Sequence, residues 1–175
     1  MDFTQNHFEL FSLPPSYALD RDKLDAAYRE LQSAVHPDRF VAKPEAEQRV
    51  AMQWATQANE AYQTLKHPVN RGVYLLSLQG IDALDANNTK MAPAFLMQQM
   101  EWREAIQEAR TAKSMAALDS LSNDLRATHR RIEAQLAEQI DTVQDYTAAS
   151  EAVRQLRFMY KLIAEVGDVY EELEN

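Results

Sequence analysis

The sequence predicts an all-α fold: an antiparallel helical hairpin with short flanking helices, followed by a three-helix bundle. Three observations carry that expectation. Glycine occurs only 3 times in 175 residues, too few for the tight turns of barrels, sandwiches or phosphate-cradling loops. Apolar side chains recur three and four residues apart over most of the chain, which is the helical period. Prolines and small polar residues stand where those periodic stretches begin and end.

Taken in order, Phe8, Phe11 and Leu13 supply a short helix or turn able to cover the apolar face of the hairpin. Residues 20–35 form a helix, with Asp20 as its cap and Leu24, Ala27, Tyr28, Leu31 and Val35 as its stripe. Pro37 stops it, because proline disfavours helical dihedrals at the preceding residue, His36. A polar loop leads to Pro44, which starts a second helix with Glu45 and Glu47 in the first turn. Its apolar stripe is Val50, Ala51, Trp54, Ala55, Ala58, Ala61, Tyr62 and Leu65, and two such helices joined by a short loop pack antiparallel. Pro68 begins another helix that Gly80 ends. The organisation expected is therefore an N-terminal helical domain over 1–79, a linker over 80–92, and a bundle over 93–175.

Three helices are expected in the bundle: about 94–110, then Ser114 as cap to about 142, then from near Thr147 almost to the C-terminus. The second carries Leu118, Leu121, Leu125, Ile132, Leu136 and Ile140. The third carries Ala152, Leu156, Met159, Ile163, Val166, Tyr170 and Leu173, alternately four and three apart, a bundle seam. Glu171, Glu172 and Glu174 oppose the helix dipole at its C-terminal end, so fraying is expected there.

Charge and composition exclude several classes of function. With no cysteine there is no disulfide, thiol nucleophile or thiolate metal site. The net charge of −9 argues against a nucleic-acid partner, and residues 79–175 hold ten basic against seventeen acidic side chains. No apolar run approaches the roughly 18 residues needed to span a membrane. Asp2, Asn6 and Glu9 interrupt the N-terminus where a signal peptide would need an apolar core. A cytoplasmic protein is the expectation.

The first chemical motif is His36-Pro37-Asp38, in the loop between the hairpin helices. It follows Leu24-Asp25-Ala26-Ala27-Tyr28-Arg29-Glu30-Leu31 and precedes Asn59-Glu60-Ala61-Tyr62-Gln63-Thr64-Leu65, then His67-Pro68 and Arg71. Pro37 fixes the loop direction, Asp38 offers charged acceptors suited to an arginine, and His36 adds an imidazole donor and acceptor. In this order the stretches resemble a J-domain. The resemblance implies a loop that binds a DnaK-class ATPase chaperone and promotes its ATP hydrolysis, through His36, Pro37, Asp38, Arg29 and Arg39. Arg21, Lys23 and Lys43 add a modest positive surface nearby, equally readable as solvated helix faces.

The second motif is a helix with two apolar faces. At about 100° per residue, Phe95, Trp102, Ala105, Ile106 and Ala109 fall on one side, while Leu96, Met97 and Met100 fall on the other, flanked by Glu101, Glu104 and Glu108. A bundle helix needs one buried stripe, so the second stripe marks a binding surface or a contact with the N-terminal domain. Phe158 lies off the seam of the last helix, beside Arg154 and Leu162, as an exposed aromatic anchor.

Four stretches narrow the resemblance: His36-Pro37-Asp38-Arg39-Phe40, Tyr74-Leu75-Leu76-Ser77-Leu78-Gln79-Gly80, Phe95-Leu96-Met97 and Leu156-Arg157-Phe158. Over nearly its whole length the chain is similar to the HscB family of J-proteins, co-chaperones of iron–sulfur cluster assembly. That resemblance implies an HscA-like chaperone partner and an IscU-like cluster scaffold, the latter held by Leu96, Met97, Met100, Glu101, Glu104, Glu108 and Phe158. Arg39 stands where lysine is more usual and Met100 where leucine is common. It implies no catalytic residue, no cofactor and no metal site, and a monomer or weak self-association.

Two other classes compete. A metalloprotein or enzyme built on His7, His36, His67 and His129 lacks any pair at ligand spacing such as i, i+4. A J-domain on a bundle serving a different client is the alternative reading of the same motifs.

Overall fold

The computed structural model describes residues 4–85 and 90–174, and the described residues form helices, turns and loops without a strand. Seven α-helices follow one another: α1 (His7–Leu10), α2 (Arg21–Val35), α3 (Glu45–Lys66), α4 (Pro68–Leu78), α5 (Pro93–Thr111), α6 (Met115–Glu138) and α7 (Tyr146–Glu174). The chain divides into two compact units, 1–75 and 76–175, and the division falls within α4.

In the first unit α2 and α3 pack together, and α1 packs on α3. The Asp20 side chain accepts the Lys23 amide at 3.2 Å, so α2 starts where a capping residue places it. The α1 turn is closed by a capping box: the Asn6 side chain accepts the amides of Phe8 and Glu9, and Glu9 accepts the Asn6 amide at 2.8 Å. The core comprises Phe8, Phe11, Tyr17, Leu24, Val35, Ala51, Trp54, Ala58, Ala61, Leu65 and Val69. Val50, expected in the α3 stripe, is exposed instead. α4 ends as its Gly80 requires: the glycine takes φ 75°, Ile81 N–H returns to the Leu76 carbonyl at 3.0 Å, and Gly80 N–H to Ser77 at 2.9 Å.

The second unit is a bundle in which α7 packs on both α5 and α6, and α5 on α6. Phe95, Trp102, Ile106 and Ala109 face inward from α5, and Leu118, Leu121, Leu125, Ile132 and Leu136 from α6. Ser114 caps α6 by accepting the Ala117 amide at 3.2 Å. α6 does not continue regularly to 142. Gln139–Val143 widens into a π turn that ends at Gln144, φ 58°.

Two expectations about α7 are corrected. Its first half buries Ala149, Ala152, Val153, Leu156 and Met159, but its second half buries Leu162, Val166 and Val169, leaving Ile163, Tyr170 and Leu173 half-buried. The sequence pattern predicts a single seam, whereas the buried side turns along the 29 residues with the two neighbours the helix meets. The acidic end does not fray: the Arg110 guanidinium holds both oxygens of Glu172, at 3.0 and 3.3 Å, and the Tyr170 hydroxyl donates to Asp119 at 2.6 Å. Cross-helix partners here outweigh an unfavourable dipole, a term worth only about 0.3–1 kcal/mol at an exposed end.

Candidate functional site

The loop between α2 and α3 is a short, self-bonded turn. After Val35 the backbone opens at His36 (φ −58°, ψ 130°), as the following proline demands, and Pro37–Phe40 closes a 3-10 turn with Arg39 N–H on the His36 carbonyl at 3.0 Å. The Asp38 amide donates to His36 Nδ1 at 3.3 Å. An accepting Nδ1 puts the neutral ring's proton on Nε2. The two side chains lie near each other, Nδ1 to the carboxylate at 3.6 Å, and both are open to solvent, at 52% and 86% of full exposure. Gln48 pins the far side of the loop, donating to the carbonyls of Val41 and Lys43 at 3.4 and 2.9 Å.

The two arginines expected beside this loop differ in what they do. Arg39 folds back and donates to the Ser33 carbonyl at 3.2 Å, satisfying one of the free carbonyls at the end of α2. Arg29 is exposed on α2, about two turns before the loop.

The motif residues upstream and downstream of the loop form the clasp that aligns the hairpin. The rings of Tyr28 and Tyr62 stack at 4.0 Å, the Tyr62 hydroxyl donates to Asp25 at 3.0 Å, and the Tyr28 hydroxyl reaches Asn59 at 3.4 Å. Further along, the Arg71 guanidinium covers the Tyr17 ring at 4.8 Å and donates to the Leu65 carbonyl at 2.7 Å. These contacts explain the spacing of the motif: its tyrosines meet across α2 and α3 and fix where the loop is held.

In the second unit, α5 turns Phe95 and Trp102 inward and leaves Leu96, Met97 and Met100 at 47%, 65% and 72% exposure. Glu101, Glu104 and Glu108 are exposed on the same side, continuing from Met97 and Met100 at three- and four-residue steps. Burying such a side chain completely is worth about 1.5–3 kcal/mol, so each leaves on the order of 1–2 kcal/mol of apolar burial unused. Phe158 differs from expectation. It is half-buried rather than exposed, its ring edge-on to Phe95 at 5.9 Å and covered by the Arg103 guanidinium at 5.8 Å. Leu162, expected beside it at the surface, is core.

Arg103, Glu151 and Arg154 are functional candidates that the sequence pattern does not single out. Arg154 donates to the Ala83 and Lys90 carbonyls, each at 3.1 Å, and Glu151 accepts the Ala92 amide at 2.8 Å. Only the place of these two, one face away from the α7 seam, could have suggested them, and a charged residue there is equally well read as solvated.

The histidines stand apart in function. His7 stacks on Tyr74 at 4.1 Å, and burial pushes its pKa down against the opposing charge of Glu60. His67 is likewise lowered, by burial and then by Arg71. His129 faces Glu133 at 3.4 Å and the Tyr160 ring at 4.8 Å. Among the described residues, no three His, Cys, Asp or Glu side chains are grouped to hold a metal ion, and no helix is long and apolar enough to cross a membrane.

Known proteins share both units. A family model described as the HSCB C-terminal oligomerisation domain matches residues 91–167. The chain is 56% identical to a co-chaperone protein HscB homolog of Burkholderia thailandensis, with 97% of each chain covered. Among solved structures it is similar to chaperone HscB from Vibrio cholerae, with a TM-score of 0.84, 42% identity, and 97% and 99% of the two chains covered. It is similar also to human co-chaperone protein HscB, with a TM-score of 0.88, 29% identity, and 95% and 83% covered.

Proposed function

The chain belongs to the HscB family of co-chaperones, and from that premise we propose that it acts in iron–sulfur cluster biogenesis as a two-headed, non-enzymatic adaptor. A J-domain over 1–79 engages an HscA-like ATPase of the DnaK class, and a bundle over 93–175, joined to it by 80–92, holds an IscU-like scaffold. The observation that carries the reading is the pairing of two open surfaces in one chain: a self-bonded His36-Pro37-Asp38 loop and an apolar Leu96-Met97-Met100 face bordered by three glutamates.

The loop offers a partner an anionic acceptor in Asp38 and a donor in the His36 Nε2–H, with Arg29 supplying charge on α2 and Arg39 bracing the turn. Stimulation follows if the loop binds the hydrolysis-competent state of the chaperone better than the resting state, since only differential affinity shifts that equilibrium. No bond is made or broken on this chain. At the other head, Leu96, Met97 and Met100 supply apolar contact, Glu101, Glu104 and Glu108 favour a basic rim on the scaffold, and Phe158 supports the surface from below. Such work places the protein in the cytoplasm, as a monomer or weakly self-associating.

Chaperone ATP turnover, measured with and without this protein and with scaffold added, tests both heads together: synergy is expected, and additive or absent stimulation refutes the adaptor. Replacing Leu96 and Phe158 together by alanine is expected to weaken scaffold binding by about 2–3 kcal/mol, the value of two apolar contacts at an interface core. An unchanged calorimetric affinity removes the bundle assignment. One observation favours a second occupant of this face: the domain matched over 91–167 is described by oligomerisation. Sedimentation of the same double variant separates the two, because a second copy on that face makes the parent protein, and not the variant, self-associate.

A further inference from the structure

Helix α5 begins without the means to fix its own start. Ala92 at the cap position has no side-chain acceptor, Pro93 follows it, and no acidic residue stands in the first turn. The chain leading into it, 80–92, reads as a linker in the sequence. Its described residues are instead fastened to α7.

Three side chains on one face of α7, at i, i+3 and i+7, make the attachment. Glu151 accepts the Ala92 amide at 2.8 Å and is itself held by Gln155 at 3.2 Å. One turn on, the Arg154 guanidinium donates through Nη1 to the Ala83 carbonyl and through Nη2 to that of Lys90. A planar fork can bridge two carbonyls in this way, and a single ammonium cannot. One more turn on, Phe158 meets Phe95, two positions into α5 from Pro93. Ala83, at one end of the fastened chain, is fully buried. Leu96 and Met97 follow Phe95 directly, so whatever sets the first turn of α5 also sets the direction of the apolar face.

We propose that Arg154 and Glu151 are positioning residues for the partner-binding face of α5: they hold the chain entering the helix to α7, so that Leu96 and Met97 are presented in one arrangement before a partner arrives. The inference rests on the assignment of that face to the scaffold. A surface fixed in advance binds more tightly because no ordering remains to be done on association.

The test uses the full-length protein with Arg154→Ala, Arg154→Lys and Glu151→Gln. Measured well below the melting temperature, scaffold affinity is expected to fall on the order of tenfold for Arg154→Ala, with partial recovery in Arg154→Lys, and less for Glu151→Gln. Amide hydrogen exchange over 91–97 is expected to speed up in step with the loss of affinity, while chaperone stimulation without scaffold stays at the parent level. A role in stability alone would lower the melting temperature and leave the affinity of the folded protein unchanged, and that result overturns the proposal. Should Arg154→Ala fail to fold, the Lys and Gln variants decide in the same way. Should the parent itself fail to bind scaffold, the functional assignment falls; exchange over 91–97 then still judges the clamp, and rates equal to the parent in all three variants refute it.

Discussion

At His36 the local bonding decides which chemistry faces outward. Nδ1 is engaged by the Asp38 amide at 3.3 Å, which leaves Nε2–H as the available donor, and the Asp38 carboxylate remains open. Glutamine at 36 has neither the ring nor its fixed geometry, so the turn would lose the Nδ1 acceptor and the aligned donor together. Because the residue is exposed and outside the core, His36→Gln is expected to change stability by no more than about 0.5 kcal/mol. Chaperone stimulation is expected to disappear. Steady-state ATP turnover beside a thermal melt checks both halves, and a variant that stimulates like the parent removes the loop assignment. The motif was legible here because its residue types are unusual together and recur in order. What one sequence did not reveal was the inward work of its neighbours: Arg39 bonding Ser33, Gln48 pinning the loop, Tyr28 stacked on Tyr62.

At the scale of elements, helix ends were readable where a side chain or a proline does the capping, and unreadable where tertiary contacts do. Asp20, Pro68, Pro93 and Ser114 mark starts that the structure places within a residue or two. The apolar periods located the bundle helices for the same reason, since a helix in contact with others must repeat at 3.6 residues. The shift of the α7 seam, the half-burial of Phe158 and the attachment of Arg154 to Ala83 and Lys90 depend on which neighbours are met, and no local pattern records that. Two endings are also unmarked in sequence. Lys113 after α5 and Gln144 after the π turn take positive φ, 48° and 58°, where glycine is the usual residue. Ser114 N–H returns to Ala109 at 3.0 Å and Lys113 N–H to Arg110 at 3.2 Å, so the turn is a regular helix ending occupied by a strained residue. Lys113→Gly is therefore expected to stabilise the bundle by up to about 1 kcal/mol, the relief of the left-handed conformation less the entropy of glycine. A lowered denaturation midpoint in urea contradicts that account.

At the scale of the molecule, the two units carry their own cores and their own titrating groups, so acid and base should not act on them alike. In the first unit His7 and His67 both have pKa values depressed chiefly by burial. A histidine depressed in the folded state contributes stability that is fully present above its ordinary value of about 6.5 and is lost as pH falls through the lower folded value. In the second unit, the Tyr170 pKa is pushed up to about 12, first by its hydrogen bond to Asp119 and then by burial and that carboxylate's charge. Its contribution is present below the ordinary phenol value of about 10 and is lost as pH rises toward the folded value. The chain holds 2 tryptophans, and each unit buries one of them, Trp54 in α3 and Trp102 in α5. Their indole N–H signals in heteronuclear NMR therefore follow the two units without mutation. Going from about pH 7 to about pH 5, the Trp54 signal is expected to collapse at a lower temperature while that of Trp102 moves less. Going from about pH 9 to about pH 11, base-catalysed exchange obscures indole protons, so the readout becomes the thermal midpoint by circular dichroism of the parent against Tyr170→Phe. The parent is expected to lose stability over that interval more steeply than the variant, because the variant has no proton to release. Equal alkaline losses in parent and variant would remove Tyr170 from the account, and an acid shift confined to Trp102 would remove His7 and His67.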